Sequence, residues 1–191
     1  MRMLLTTLLV LASHSTLADW TLDPARSELS FVATKNAHVA DNHYFRDLRG
    51  FITDKGKARL TVKTASVETN IDIRDKRMRS ILFNVDTYPE ASIRLMIRSS
   101  MAKPKPAGTS KTTDISGMLE MVGVKQLVSS RVTIYHMADG SMVVDSVEPV
   151  LVDTEDFGLL PAINKLRDMA GLNSISIKVP VSFRLVFTRD K

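Results

Sequence analysis

ASVETNIDIRDKRMRSILFNVDTYPEASIRLMI, residues 65–97, changes its hydrophobic period twice without a break. Ala65, Val67 and Thr69 close a run that alternates with period two, and Asn70 or Asp72 is placed to cap a helix. Tyr88-Pro89 then forces extended backbone before Ile93, Leu95 and Ile97 alternate again. The stretch reads strand, helix, strand. Along its helix Ile73, Arg77 and Ile81 recur at i, i+4, as do Met78 and Leu82, which suits a piece laid across a sheet.

Seven further alternating runs surround it. They lie at Leu29 to Ala33, Tyr44 to Thr53 around Gly50, Leu60 to Thr64, Ile115 to Leu119, Leu127 to His136, Met142 to Val152, and Ile175 to Phe187. Asp54-Lys55-Gly56-Lys57 and Ala138-Asp139-Gly140 carry turn chemistry. The Pro- and Lys-rich segment 102–112 reads as an exposed connection. A second helix is expected where Leu160, Ile163, Leu166 and Met169 recur every three residues before Gly171. Eight strands at hairpin spacing with two short helices predict an all-β protein, an eight-stranded antiparallel barrel, more than a sandwich.

The chain opens on a different pattern. Arg2, an apolar core over residues 4–12 and the exit Thr16-Leu17-Ala18 read as a secretory signal peptide over residues 1–18, cleaved before Asp19. That core is shorter than the roughly 20 residues a bilayer requires. A single domain over residues 19–191 is expected to follow, exported and soluble. The chain has no cysteine, so its fold stands without disulfides or thiolate metal ligands. A formal net charge of +5, with both signs interspersed, allows transient contact with a membrane surface but points to no nucleic acid, since the basic residues are not interleaved with stacking aromatics.

Alternation does not say which face turns inward. A barrel turned outward to lipid would need aromatic girdles, and Trp20, Tyr44, Tyr88 and Tyr135 are too few to build two. The apolar faces are therefore expected to point in, making either a filled core or an apolar cavity. Met78, Met96, Met118, Met121 and Met169 suit a remodelling pocket and core filling alike.

The central stretch, with Ala65-Ser66-Val67-x-Thr69-Asn70, Arg74-Asp75-x-x-Met78-Arg79-Ser80, Phe83-Asn84-Val85 and Tyr88-Pro89, resembles the signature of the YceI-like family of exported, lipocalin-like proteins. Leu22-Asp23-Pro24, Gly117-x-Leu119-x-Met121-x-Gly123-Val124-Lys125 and Asp156-Phe157-Gly158 fall in that family's order. The resemblance implies an elongated lipocalin-like barrel, crossed by a helix, that holds a long isoprenoid lipid such as a quinone or polyprenol tail. It also implies a periplasmic address and no cofactor. Two departures lie in the first third: Arg26 replaces a usual His, and residues 35–43 replace a short Gly-containing approach to the second strand.

The ligand-binding residues expected from this are Phe31, Ile177, Val179, Val181, Phe183 and Leu185 along the lumen, with His38 and His43 near one mouth. His38, Asp41 and His43 on one loop are also the best metal or acid-base candidates, but no third His is near and no metal is expected. Arg74, Lys76, Arg77 and Arg79 read as an ion-paired solvent face, with Asp75 and Arg79 at i, i+4. No nucleophile elbow, zinc-protease motif or phosphate loop is present, so no enzyme activity is expected. The alternatives are a docking or structural barrel with a filled interior, and behind it a hydrolase or isomerase. The oligomeric state is left between monomer and homodimer.

Overall fold

A computed structural model describes residues 20–189. The expected signal peptide and its cleavage site lie outside the described residues. Strand β1 runs Trp20–Leu22, steps through a 3-10 turn at Pro24–Arg26 and continues as Glu28–Lys35. Strand β2 comprises Val39–Phe45 and Leu48–Ile52, and β3 comprises Lys57–Lys63 and Val67–Glu68. Then follow β4 (Glu90–Met96), β5 (Ser110–Met121), β6 (Val124–His136), β7 (Met142–Ser146 and Val150–Asp153) and β8 (Lys178–Thr188).

Each strand pairs antiparallel with the next, and β8 closes on β1 through Val181↔Phe31 and Leu22↔Phe187. The result is an eight-stranded barrel with short helices, as the alternation predicts. The apolar face of β8 points into it. Among the described residues no helix is long and apolar enough to cross a membrane.

Residues 65–97 leave the barrel through helix α1, Asp72–Arg77, which runs on as a π-helical turn at Met78–Leu82. Neither Asn70 nor Asp72 caps it: Ile71 is the N-cap, its carbonyl taking the N–H groups of Arg74 and Asp75 at 3.0 Å, while Asn70 turns the chain at φ 60°. Asp75 is withdrawn from the solvent face. It is buried and accepts from the Thr69 N–H at 2.9 Å and from the Thr69 hydroxyl, while Arg79 donates to the Val67 carbonyl at 3.3 Å. The buried face of α1 presses Met78 and the following Phe83 onto Phe31 and Val67.

Two further helices complete the closure. Helix α2, Ser99–Ala102, has no periodic signal in the sequence, yet Met101 and Ala102 are buried and the Trp20 indole donates to the Ala102 carbonyl at 2.6 Å. The connection after it is exposed through Thr109, and β5 has begun by Ser110. Helix α3, Leu160–Met169, sets Ile163 beside Phe157 and Leu159, and Gly171 ends the segment at φ 63°. Helix α2 stands at the barrel end where β1 begins, and α1 and α3 at the opposite end.

The polar stretch 35–43 is not a loop. Asn36 and Ala37 adopt left-handed φ of 49° and 64°, which turns the chain tightly enough for Lys35 to pair with Val39 and for β2 to start there. The β2–β3 turn depends on Gly56, whose φ is 86° and whose absent Cβ would lie 2.1 Å from the Ile97 carbonyl oxygen. Gly56→Ala is expected to destabilise the fold by about 2 kcal/mol, read as a lower urea midpoint at unchanged m-value.

Candidate functional site

The barrel is not filled. A cavity of about 290 Å³ runs from Met101, Met142 and Phe187 near α2 to Met78, Leu82, Phe83 and Met121 near α1. Such a volume sits at the lower end of the roughly 300–1,000 Å³ typical of ligand pockets. Its wall is made of the inward residues of every strand, including Leu29 and Phe45, Leu60 and Val62, Ile93 and Leu95, Ile115 and Leu119, and Val144.

The few polar side chains on the wall are largely committed elsewhere. The Thr64 hydroxyl bonds to the Tyr88 and Pro89 carbonyls at 2.9 Å, and the Thr154 hydroxyl donates to the Ile177 carbonyl at 2.8 Å. The lumen therefore offers apolar surface and shape rather than directed hydrogen bonds.

Of the residues expected to line it, Phe31, Val179, Val181, Phe183 and Leu185 are on the wall. Ile177 stands off it, half-buried, with its carbonyl engaged by the Thr154 backbone at 2.9 Å as well as by the hydroxyl. The strand begins one residue later, at Lys178, so the alternation that placed Ile177 with the inward set extends past the end of the regular ladder. Alternation on β8 missed the wall contributed by α1, because Met78 and Leu82 reach the lumen only after the helix folds back.

His38 and His43 do not converge. His38 is exposed at the β1–β2 turn, whereas His43 is 1% exposed and opposite Phe31, its ring edge-on at 5.3 Å. Beyond His43 the inward side chains turn ionic. Asp41 Oδ2 pairs with Lys35 and with Arg74 Nη1 at 3.2 Å, and Arg74 Nη2 also reaches the Thr69 carbonyl at 2.6 Å. Hydrogen bonding from Lys35, reinforced by Arg74, holds the Asp41 carboxyl below its usual value. These contacts tie α1 to the β1–β2 hairpin. Among the described residues no group of three carboxylate or imidazole side chains is placed to hold a metal ion.

An antiparallel barrel closed around a ligand-sized apolar lumen defines the lipocalin-like class. The chain belongs to the YceI-like domain family, whose pattern matches residues 20–187. It is similar to a solved polyisoprenoid-binding domain from Saccharophagus degradans, implicated in plant cell wall breakdown, at 32% identity and a TM-score of 0.87, covering 91% of this chain and 99% of that one. BcnA of Burkholderia cenocepacia is 20% identical with a TM-score of 0.69, covering 87% of this chain and 99% of that one. The Campylobacter jejuni YceI protein is 17% identical with a TM-score of 0.52, covering 78% and 84%. The latter two share the fold. No curated protein matches the chain.

Burial first, and then the Arg74 charge, push the His43 imidazole below its ordinary pKa; burial first, and then Lys105, do the same for His136. The unfolded chain therefore takes up these protons before the folded one does. Stability from the two neutral rings is complete above about pH 7 and is lost as pH falls through about 6.5 toward the depressed folded values. The melting temperature is expected to decline over that range, and His43→Leu with His136→Leu to flatten the decline.

Proposed function

We propose that the chain is an exported, periplasmic, non-catalytic binding protein that carries or sequesters a long-chain isoprenoid or similar amphipathic lipid in the barrel lumen. The observation that carries this reading is the apolar cavity extending between both helix-capped ends of the barrel. The similarity to a polyisoprenoid-binding domain supports it. So does the leader pattern of residues 1–18.

Each buried CH₂ gains about 0.8 kcal/mol, so a five-carbon isoprene unit withdrawn from water gains roughly 4 kcal/mol before ordering costs. A few units suffice for tight binding with no polar contact. Phe31, Val179, Val181, Phe183 and Leu185 hold the tail by contact. His43 stands beside Phe31 at the polar end, while His38 and Ile177 act from the rim.

Native mass spectrometry and organic extraction of the protein from its own organism are expected to yield a long-chain isoprenoid. Val181→Trp, which puts an indole into the lumen, is expected to weaken binding of a long-chain quinone by about tenfold or more while the barrel still melts cooperatively. An empty protein that binds neither quinones nor polyprenols would leave the docking-module reading in its place.

A further inference from the structure

The barrel wall has an unpaired seam. Strands β6 and β7 pair from Met142↔His136 to Ser146↔Val132, and the Val147 N–H still reaches the Arg131 carbonyl at 2.9 Å. Continuing that register puts Pro149 opposite Ser129, at the next position where the ladder needs a donor, and proline has no N–H. Beyond it β7 stays attached to β8, from Val150↔Val181 to Asp153↔Lys178, but forms no ladder with β6 among the described residues. The Gln126 side chain, donating to the Asp156 carbonyl at 2.8 Å, spans the far end.

Both lips of this seam reach the lumen: Val128 and Ser130 from β6, Val150 and Val152 from β7. On the outer surface the same lips carry Leu127 and Leu151, 70% and 67% exposed, with Met118 directly across the ladder from Leu127 at 43%. At the far end of the β6–β7 seam Val124 and Val152 pack with Phe157, Leu159 and Ile163, whereas Val128 and Val150, nearer Pro149, are not part of that cluster.

We propose that this seam is a lateral portal to the lumen, and that Met118, Leu127 and Leu151 seat it on the surface of a lipid bilayer. The proposal rests on the lipid-carrier reading. A bilayer fits because Leu127 and Leu151 are the chain neighbours of Val128 and Val150 on the lumen wall, so a tail that parts the two lips passes from membrane to cavity without crossing water. The surrounding charges are balanced: Lys125 lies 4.0 Å from Glu120, Lys178 lies 2.9 Å from Asp153, and Arg131 stands across the ladder from Asp114. Seating is therefore by apolar contact, on zwitterionic as well as anionic lipid, with little dependence on salt.

The test follows uptake of a long-chain quinone or polyprenol from phosphatidylcholine vesicles. Leu127→Asp with Leu151→Asp is expected to slow uptake by about tenfold or more, while affinity for the same lipid offered in detergent stays within about twofold. The melting temperature should not move. Uptake that is unaffected by this pair but slowed by Ile71→Asp with Ile73→Asp, or release accelerated by Met78→Gly alone, would overturn the portal and place the entrance at α1. A concentration-dependent dimer dispersed by the seam variant would overturn it in favour of a contact between two copies. Absence of lipid uptake by the unmodified protein, in vesicles and detergent alike, would overturn the carrier reading together with the portal. Normal detergent binding with an unchanged vesicle rate in the seam variant would overturn the portal alone.

Discussion

Everything inside this protein depends on β8 finding β1. Val181 opposite Phe31 and Phe187 opposite Leu22 join the two ends of the chain across the full length of the sheet. A sheet left open there would expose two hydrogen-bonding edges and an apolar face. Closed, it removes those edges and encloses the inward side chains of all eight strands. The long final strand makes this possible, since it pairs with β7 on one side and β1 on the other over most of its length.

Closure creates a second constraint, because a barrel that is not filled must be stoppered at its ends. The two stoppers differ in chemistry. At one end α2 buries Met101 and Ala102 and is fixed by the Trp20 indole. At the other, α1 presses Met78 and Phe83 inward and is tied to the β1–β2 hairpin through Asp41, Lys35 and Arg74. That arrangement leaves an apolar lumen bounded on one side by an ionic cluster and a buried, uncharged imidazole. An amphipathic guest has a corresponding division between tail and head.

Much of the fold was legible as period. Alternation from Val179 to Phe187, the Tyr88-Pro89 break and the three-residue recurrence before Gly171 each describe a local preference that the barrel does not contradict. The errors have a common cause. Residues 35–43 look like a loop because their inward positions are polar, and those side chains are accommodated at the barrel end, still partly exposed, because Asp41 pairs with both Lys35 and Arg74. Arg74 is 33 residues from Asp41 and on another element, so no local pattern contains that pairing. Helix α2 is one turn long and is held by burial and by Trp20, 82 residues away, rather than by amphipathic spacing.

The sequence by itself determined the strands, the two longer helices and the family, since each is written in short-range periodicity or motif spacing. It determined five inward residues of the cavity wall as well, Phe31 through the alternation of the first strand and Val179, Val181, Phe183 and Leu185 through that of the last. Only the tertiary structure decided that the interior is a cavity and not a filled core, because emptiness is the difference between lumen volume and the summed side chains of eight strands. Likewise only the folded barrel separates His38 from His43 and leaves the β6–β7 wall unpaired. Pro149 is visible in the chain, but its consequence exists only once β6 stands beside it in register.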